Sequence, residues 1–177
     1  MSEIETARLR LRKVTPNDLT GLFAIRSDPE VMKYIGSGRP NSLEEVRTTL
    51  NRYLAHWEQH GFGQWGVDYK ETDELVGWCG LCYLEDTGEV EIGYGIAKAY
   101  WGKGLASEAA TASIKYGFEE LGLDRIVAIA WPDNASSRRI IDKLGMKYVK
   151  VTRHYDADVV YYAITRDQYW MALQRGQ

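Results

Sequence analysis

The chain is short of several things that would mark a specialised architecture. Among 177 residues it has two cysteines, three histidines and four prolines. Cys79 and Cys82 have no second pair with which to complete a zinc site. A redox pair belongs at a strand-to-helix junction, where a helix N-terminus lowers a thiol pKa. Here Cys-Gly-Leu-Cys falls inside a predicted strand, and an offset of three turns the two side chains to opposite faces. The pair reads as two buried, inert thiols. His56 and His60 stand four apart on a predicted helix, but their glutamate is not at the metalloprotease position and no third ligand is apparent. No metal site is expected. The longest stretch without a strongly polar side chain, Leu75–Leu84, is ten residues, against the ~20 of a membrane-spanning helix. Met1-Ser2-Glu3 lacks the basic start of a secretory or transit signal, and no apolar segment follows. A net charge of −3 supplies no field for nucleic acid. These absences favour a cytoplasmic protein with neither membrane nor nucleic acid as partner.

What is present is an ordinary folding chain, 45% hydrophobic and 27% charged. Its length suits one domain over 1–177. Arg8–Val14 alternates like a half-buried strand. Thr15-Pro16-Asn17-Asp18 opens a helix to about Ser27, and a short one follows around Pro29–Tyr34. Ser42-Leu43-Glu44-Glu45 is a capping box that starts a helix to about His60. Gly63–Tyr69, Leu75–Leu84 and Glu89–Ile96 then read as an antiparallel meander, with turns at Glu71-Thr72-Asp73 and Asp86-Thr87-Gly88. Gly104–Leu121 is helical, with Leu105, Ala109, Ala112 and Tyr116 in one stripe. A strand over Arg125–Trp131, a helix over Asn134–Leu144 closed by Gly145, a hairpin (Lys147–His154, Asp158–Ile164) and a helix capped by Thr165-Arg166-Asp167-Gln168 complete the chain. Runs of strands with helices between them indicate an α+β fold, a mixed and mostly antiparallel sheet of about seven strands flanked by helices.

Chemistry concentrates in Glu89–Ala110. A strand ends near Ile96, and Gly102-Lys103-Gly104 leads into a helix. The first four N–H groups of a helix lack internal partners, and the macrodipole puts about half a positive charge there. Glycines let the backbone approach a ligand, so the turn can cradle a phosphate or pyrophosphate, to which Lys103 adds a charge. A tight turn with no ligand is the competing reading. A Walker loop is absent. A dinucleotide fingerprint fails because Ser107 takes the place of its third glycine and five residues separate Ile96 from Gly102.

From these residues the chain resembles the GNAT superfamily of acetyl-CoA-dependent N-acetyltransferases, and within it the ribosomal-protein N-terminal (RimJ/RimL-like) branch. The markers are Thr6–Arg12, Asp28–Tyr34, Glu91-Ile92-Gly93-Tyr94, Tyr100–Ala109, Asn134-Ala135-Ser136-Ser137 and Lys143-Leu144-Gly145-Met146. The resemblance implies that the amides of Gly102, Lys103, Gly104, Leu105, Ala106 and Ser107 hold the CoA pyrophosphate. It implies that the strand ending Tyr94-Gly95-Ile96 pairs with the pantetheine arm, that Asn134 bonds that arm, and that Ser137 lies near the thioester sulfur. Arg138 or Arg139 is implied for the 3′-phosphate. Two departures stand out: Ala99 replaces the usual Gln or Arg before the loop, and Ile141 occupies the place of the thiol-protonating tyrosine. Ser137 is therefore the remaining donor to sulfur.

The implied reaction is direct attack of an amine on the thioester through a tetrahedral oxyanion. A backbone N–H near Tyr94–Ile96 would bind that oxyanion, a contact typically worth ~2.7–4 kcal/mol. A protein α-amine is roughly one-third free near pH 7.5, whereas a lysine is free to about one part in a thousand. Glu91 is the first candidate for the base. Glu89 shares its face two residues away, and a like-charged pair would raise one pKa toward neutrality. Trp57, Trp65, Tyr34 and Tyr155 are candidates to line the acceptor site, but aromatics pack cores first and most of the four read as core. The acceptor is either a protein N-terminus or a small amine. A non-catalytic acyl-CoA-binding module on the same fold and a nucleotide-binding redox protein are the competing readings. The oligomeric state is not legible in the sequence; a homodimer is the commonest symmetric assembly in general.

Overall fold

The computed structural model describes residues 3–84, 87–154 and 156–175. Strands β1 (Glu3–Glu5), β2 (Leu9–Lys13), β3 (Gln64–Tyr69), β4 (Glu74–Tyr83), β5 (Val90–Ile96), β6 (Arg125–Ala130), β7 (Lys147–His154) and β8 (Ala157–Thr165) form one sheet, in the order β1-β2-β3-β4-β5-β6-β8-β7. Neighbours are antiparallel except β5 and β6, which run parallel. Seven strands are expected from the sequence. The eighth, β1, has three residues, too few to show a period, and its register sets Glu3 and Glu5 opposite Arg12 and Arg10.

All six expected helices form: α1 (Leu19–Arg26), α2 (Pro29–Met32), α3 (Leu43–His60), α4 (Leu105–Glu119), α5 (Ala135–Lys143) and α6 (Arg166–Arg175). The capping box of α3 is reciprocal. The Glu45 amide donates to Ser42 Oγ at 3.2 Å, and the Ser42 amide to Glu45 Oε2 at 2.7 Å. The same exchange links Thr165 and Gln168 at the head of α6. The chain enters α1 through a 3-10 turn over Pro16–Asp18. There Asp18 takes both terminal nitrogens of Arg12, at 2.9 and 2.8 Å, and ties the turn to β2.

Alternation along β4 divides the core into two layers. Cys79 and Leu81 look toward the cluster under α4, with Leu105, Ala109 and Ile114. Trp78 looks the other way, into a cluster with Leu22 and Ile25 of α1 and Val46, Leu50 and Tyr53 of α3. The middle of the sheet is thus covered on both faces, and a defect in it is where a ligand can reach the core strands. Among the described residues no helix is long and apolar enough to cross a membrane.

Candidate active site

The defect lies between β5 and β6. The two strands meet at one register position, Glu91 opposite Val127. Beyond it they part, leaving one edge of β5 without a neighbouring strand. A cleft of about 1060 Å³ opens there, lined by Ile92–Ile96 on one side and Ala128–Ala130 on the other.

Gly102-Lys103-Gly104 stands at one end of the cleft. Gly102 (φ +75°) and Gly104 (φ +77°) are both left-handed, a conformation most side chains resist. Gly104 occupies the N-cap of α4 and no side chain caps the helix. Among the described residues no protein oxygen accepts from the amides of residues 102 to 107. Gly102, Gly104, Leu105, Ala106 and Ser107 line the cleft. The four unspent N–H groups of residues 104 to 107 at the helix N-terminus, with that of Gly102 ahead of them, can hold a diphosphate. The turn is fixed from behind. Arg8 Nη1 donates to the Lys103 carbonyl at 2.8 Å, and Arg8 and Thr6 both bind the carboxylate of Glu108. This accounts for the Thr6–Arg8 and Glu108 markers. The Lys103 ammonium rests over the rings of Tyr100 and Tyr69, at 5.2 and 5.7 Å.

On the far side of the gap, Asn134 caps α5 by accepting from the Ser137 amide at 3.1 Å, which leaves its NH₂ group free to donate. Ser137 Oγ lies 2.8 Å from the hydroxyl of Tyr94. Burial pushes the Tyr94 phenol well above its usual range, so it stays protonated. Ile141 is core, 1% exposed. The phenol beside Ser137 therefore comes from β5 and not from α5. Sequence reasoning took only the backbone of Tyr94. The missed signal is strand alternation, which sets Ile92, Tyr94 and Ile96 on the α4–α5 face. Arg138 is engaged elsewhere, by the Tyr162 hydroxyl and the Pro132 carbonyl, both at 3.1 Å. Arg139 lines the cleft.

Glu91, Gly93 and Gly95 turn to the opposite face. Burial pushes the Glu91 carboxyl up to about 7. The expected cause, repulsion from Glu89, is not the operative one, because Glu89 faces Arg125 at 3.4 Å. Cys82 sits across from Glu91 in β4, partly buried and lining the cleft, where a fully buried thiol is expected. Burial raises the Cys82 thiol to about 11 and Cys79 to about 12, so neither is a nucleophile near neutrality. His56 spends both ring nitrogens. Nδ1 meets the Phe62 carbonyl at 2.7 Å, and Nε2 accepts from the Tyr83 amide at 3.1 Å. Of the aromatic candidates, Tyr34 lines the cleft beside Trp131, while Trp57 and Trp65 are core, 6% and 0% exposed. Tyr155 lies outside the described residues, as does Asp86 of the β4–β5 turn.

The model of the acetyltransferase (GNAT) domain family matches residues 8–147. An uncharacterized N-acetyltransferase of Bacillus subtilis, YoaA, is 35% identical over 153 residues, 86% of each chain. The FsC-acetyl coenzyme A-N(2)-transacetylase of Aspergillus fumigatus is 30% identical over 97% of this chain and 79% of its own. A GNAT-family acetyltransferase structure from Bacillus anthracis superimposes with a TM-score of 0.79 at 33% identity, covering 93% of this chain and 99% of that one. The family model spans most of the chain and the similarity extends over nearly its whole length, so this chain belongs to the GNAT family of N-acetyltransferases.

Proposed function

We propose that the protein moves the acetyl group of acetyl-CoA to a primary amine by direct attack, as in the RimJ/RimL-like branch that its motifs resemble, with a protein N-terminus or a small amine as acceptor. One observation carries the donor assignment: the unpartnered amides at the head of α4, at the mouth of the gap between β5 and β6. These amides hold the diphosphate, and the unpaired edge of Tyr94-Gly95-Ile96 with the Asn134 amide group holds the pantetheine arm. Bound there, acetyl-CoA supplies an activated acyl group as a thioester. Glu91, half ionised near pH 7, accepts a proton from the amine. The Tyr94 hydroxyl, hydrogen-bonded to Ser137 at its Oγ and its carbonyl, holds the serine in place, and Ser137 donates to sulfur. One N–C bond replaces one C–S bond; the amine gives up a proton to Glu91 and the free thiol leaves with one.

The reading is tested by thiol release from acetyl-CoA in the presence of an amine panel that includes peptides beginning Ala, Ser or Met. Release that depends on amine is expected. CoA binding without release would make the protein a non-catalytic acyl-CoA module, and no binding would remove the donor assignment.

Ser137→Ala is expected to lower kcat about 10- to 100-fold, at or below the bottom of the usual acid–base range, because a thiol with a pKa near 8.5 leaves without a strong proton donor. Tyr94→Phe should lower it less, and the double variant should be no slower than Ser137→Ala alone, since the phenol acts through the serine. Additive losses would show that the two act separately.

A further inference from the structure

The wall of the cleft formed by α1 and β3–β4 carries two polar atoms that folding leaves without partners. Arg26, the last residue of α1, is 7% exposed and lines the cleft. Its Nε donates to Asn41 Oδ1 at 3.0 Å, and its guanidinium lies 4.4 Å from the ring centre of Trp78. No carboxylate among the described residues pairs with it; the Tyr53 hydroxyl is its other polar neighbour, and Nη1 is buried with no hydrogen-bond partner. Gln64, 6% exposed, also lines the cleft. The Gly80 carbonyl takes its Nε2 at 3.3 Å, which orients the amide and leaves Oε1 buried with no donor.

These groups fall in order along one face of β5. Glu91 is opposite Cys82, Gly93 opposite Gly80 and Gly95 opposite Trp78. A Cβ at Gly93 would meet the Gln64 amide, and one at Gly95 would strike the Trp78 indole, so both side chains lie across the strand where glycine makes room. The face therefore runs from a carboxylate, past an orphaned acceptor, to an orphaned cation. Glu91 and Gly95 are roughly 13 Å apart at ~3.3 Å per residue. Arg52, which also lines the cleft, adds a second cation near Tyr53 and Cys82, whose ionisation it favours.

Resting on the acetyl-transfer reading above, we infer that the acceptor is a primary amine that also carries an oxyanion, a carboxylate or a phosphonate-type group. Its amine lies toward Glu91 and Gln64 and its anion on Arg26. A planar guanidinium with unspent donors suits either oxyanion. A polyamine would instead bring a second ammonium against Arg26, a like charge in a desolvated place.

The test is thiol-release kinetics with acetyl-CoA and matched acceptors: ε-aminocaproate, n-hexylamine and hexamethylenediamine, with aminopropylphosphonate against n-propylamine. The anion-tailed amines are expected to exceed their alkylamine partners at least about tenfold in kcat/KM, as one charge-assisted hydrogen bond warrants, and the diamine should fall below hexylamine. Whichever of carboxylate and phosphonate leads identifies the oxyanion. Arg26→Met, which keeps an apolar arm on Trp78, should bring the ratio of anion-tailed to alkyl acceptor to within about threefold of one, through KM. If Arg26→Met does not fold, Arg52→Gln on the exposed face of α3 should lower the same ratio. Alkylamines or diamines used as well as the amino acids by the wild type would overturn the inference and leave acetyl transfer standing. An unchanged ratio in a folded Arg26→Met would make Arg26 only a clamp on Asn41. No thiol from any amine would remove the transferase reading itself.

Discussion

Glu91→Gln is expected to lower kcat about 100- to 10,000-fold, the usual range for losing a general base, while leaving the KM for acetyl-CoA near its original value. Glutamine keeps the shape and some of the hydrogen bonding of glutamate but cannot take a proton. The pH profile makes the role specific. Burial holds the carboxyl at about 7, so the base form dominates above that pH. As pH falls through 7 the group protonates, and kcat/KM should drop with unit slope. The profile is best measured with an alkylamine, whose own pKa near that of lysine (about 10.4) lies well clear of this limb. Glu91→Gln should erase the limb near 7. Glu89→Gln should leave it in place, because Glu89 sits against Arg125 at 3.4 Å. A limb that survives in Glu91→Gln would pass the role of base to another group.

Gly104→Glu is expected to raise the KM for acetyl-CoA about a hundredfold or more. Two effects combine: a side chain forced into left-handed backbone costs roughly 1–2 kcal/mol, and a carboxylate is placed among amides arranged for an anion. Gly122→Glu separates them. Gly122 also has positive φ (+63°) and open space around it, and it lies beyond the C-terminal end of α4, opposite the amide cradle. Its variant should lose similar stability and keep its KM. Equal effects on KM would mean that strain alone is at work and that the turn holds no anion.

The fold is written locally in this chain. Both capping boxes, the periods of the meander and the glycine after α5 are short-range signals, and each element they predict forms within a residue or two. The exception, β1, is set by pairing with β2 across a turn and has no period of its own. The Gly102–Ser107 turn is legible for the same reason, since a strand, two glycines and a helix start are contiguous. The acceptor side is not. Arg26, Gln64, Trp78 and Glu91 come from α1, β3, β4 and β5, and only the sheet register and the packing of α1 on Trp78 bring them together. The cause of the raised pKa of Glu91 is hidden for a related reason: spacing along a strand reveals which charges share a face, but not which one Arg125 faces or how deep the other is buried. The phenol of Tyr94 reaches Ser137 across 43 positions of sequence, a contact no local pattern contains.

A single ladder position joins β5 to β6. The sheet is therefore two stiff plates, β1 to β5 and β6 to β8-β7, stitched at one point and bridged by the helices packed across them. Past that position the facing strands have no ladder partner in each other, while one core of Ile92, Ile96, Ile126 and Ala128 runs beneath both. An extended guest lying in the seam therefore meets unspent backbone groups in a frame that the core already holds, and can take a strand's place without the sheet being rebuilt.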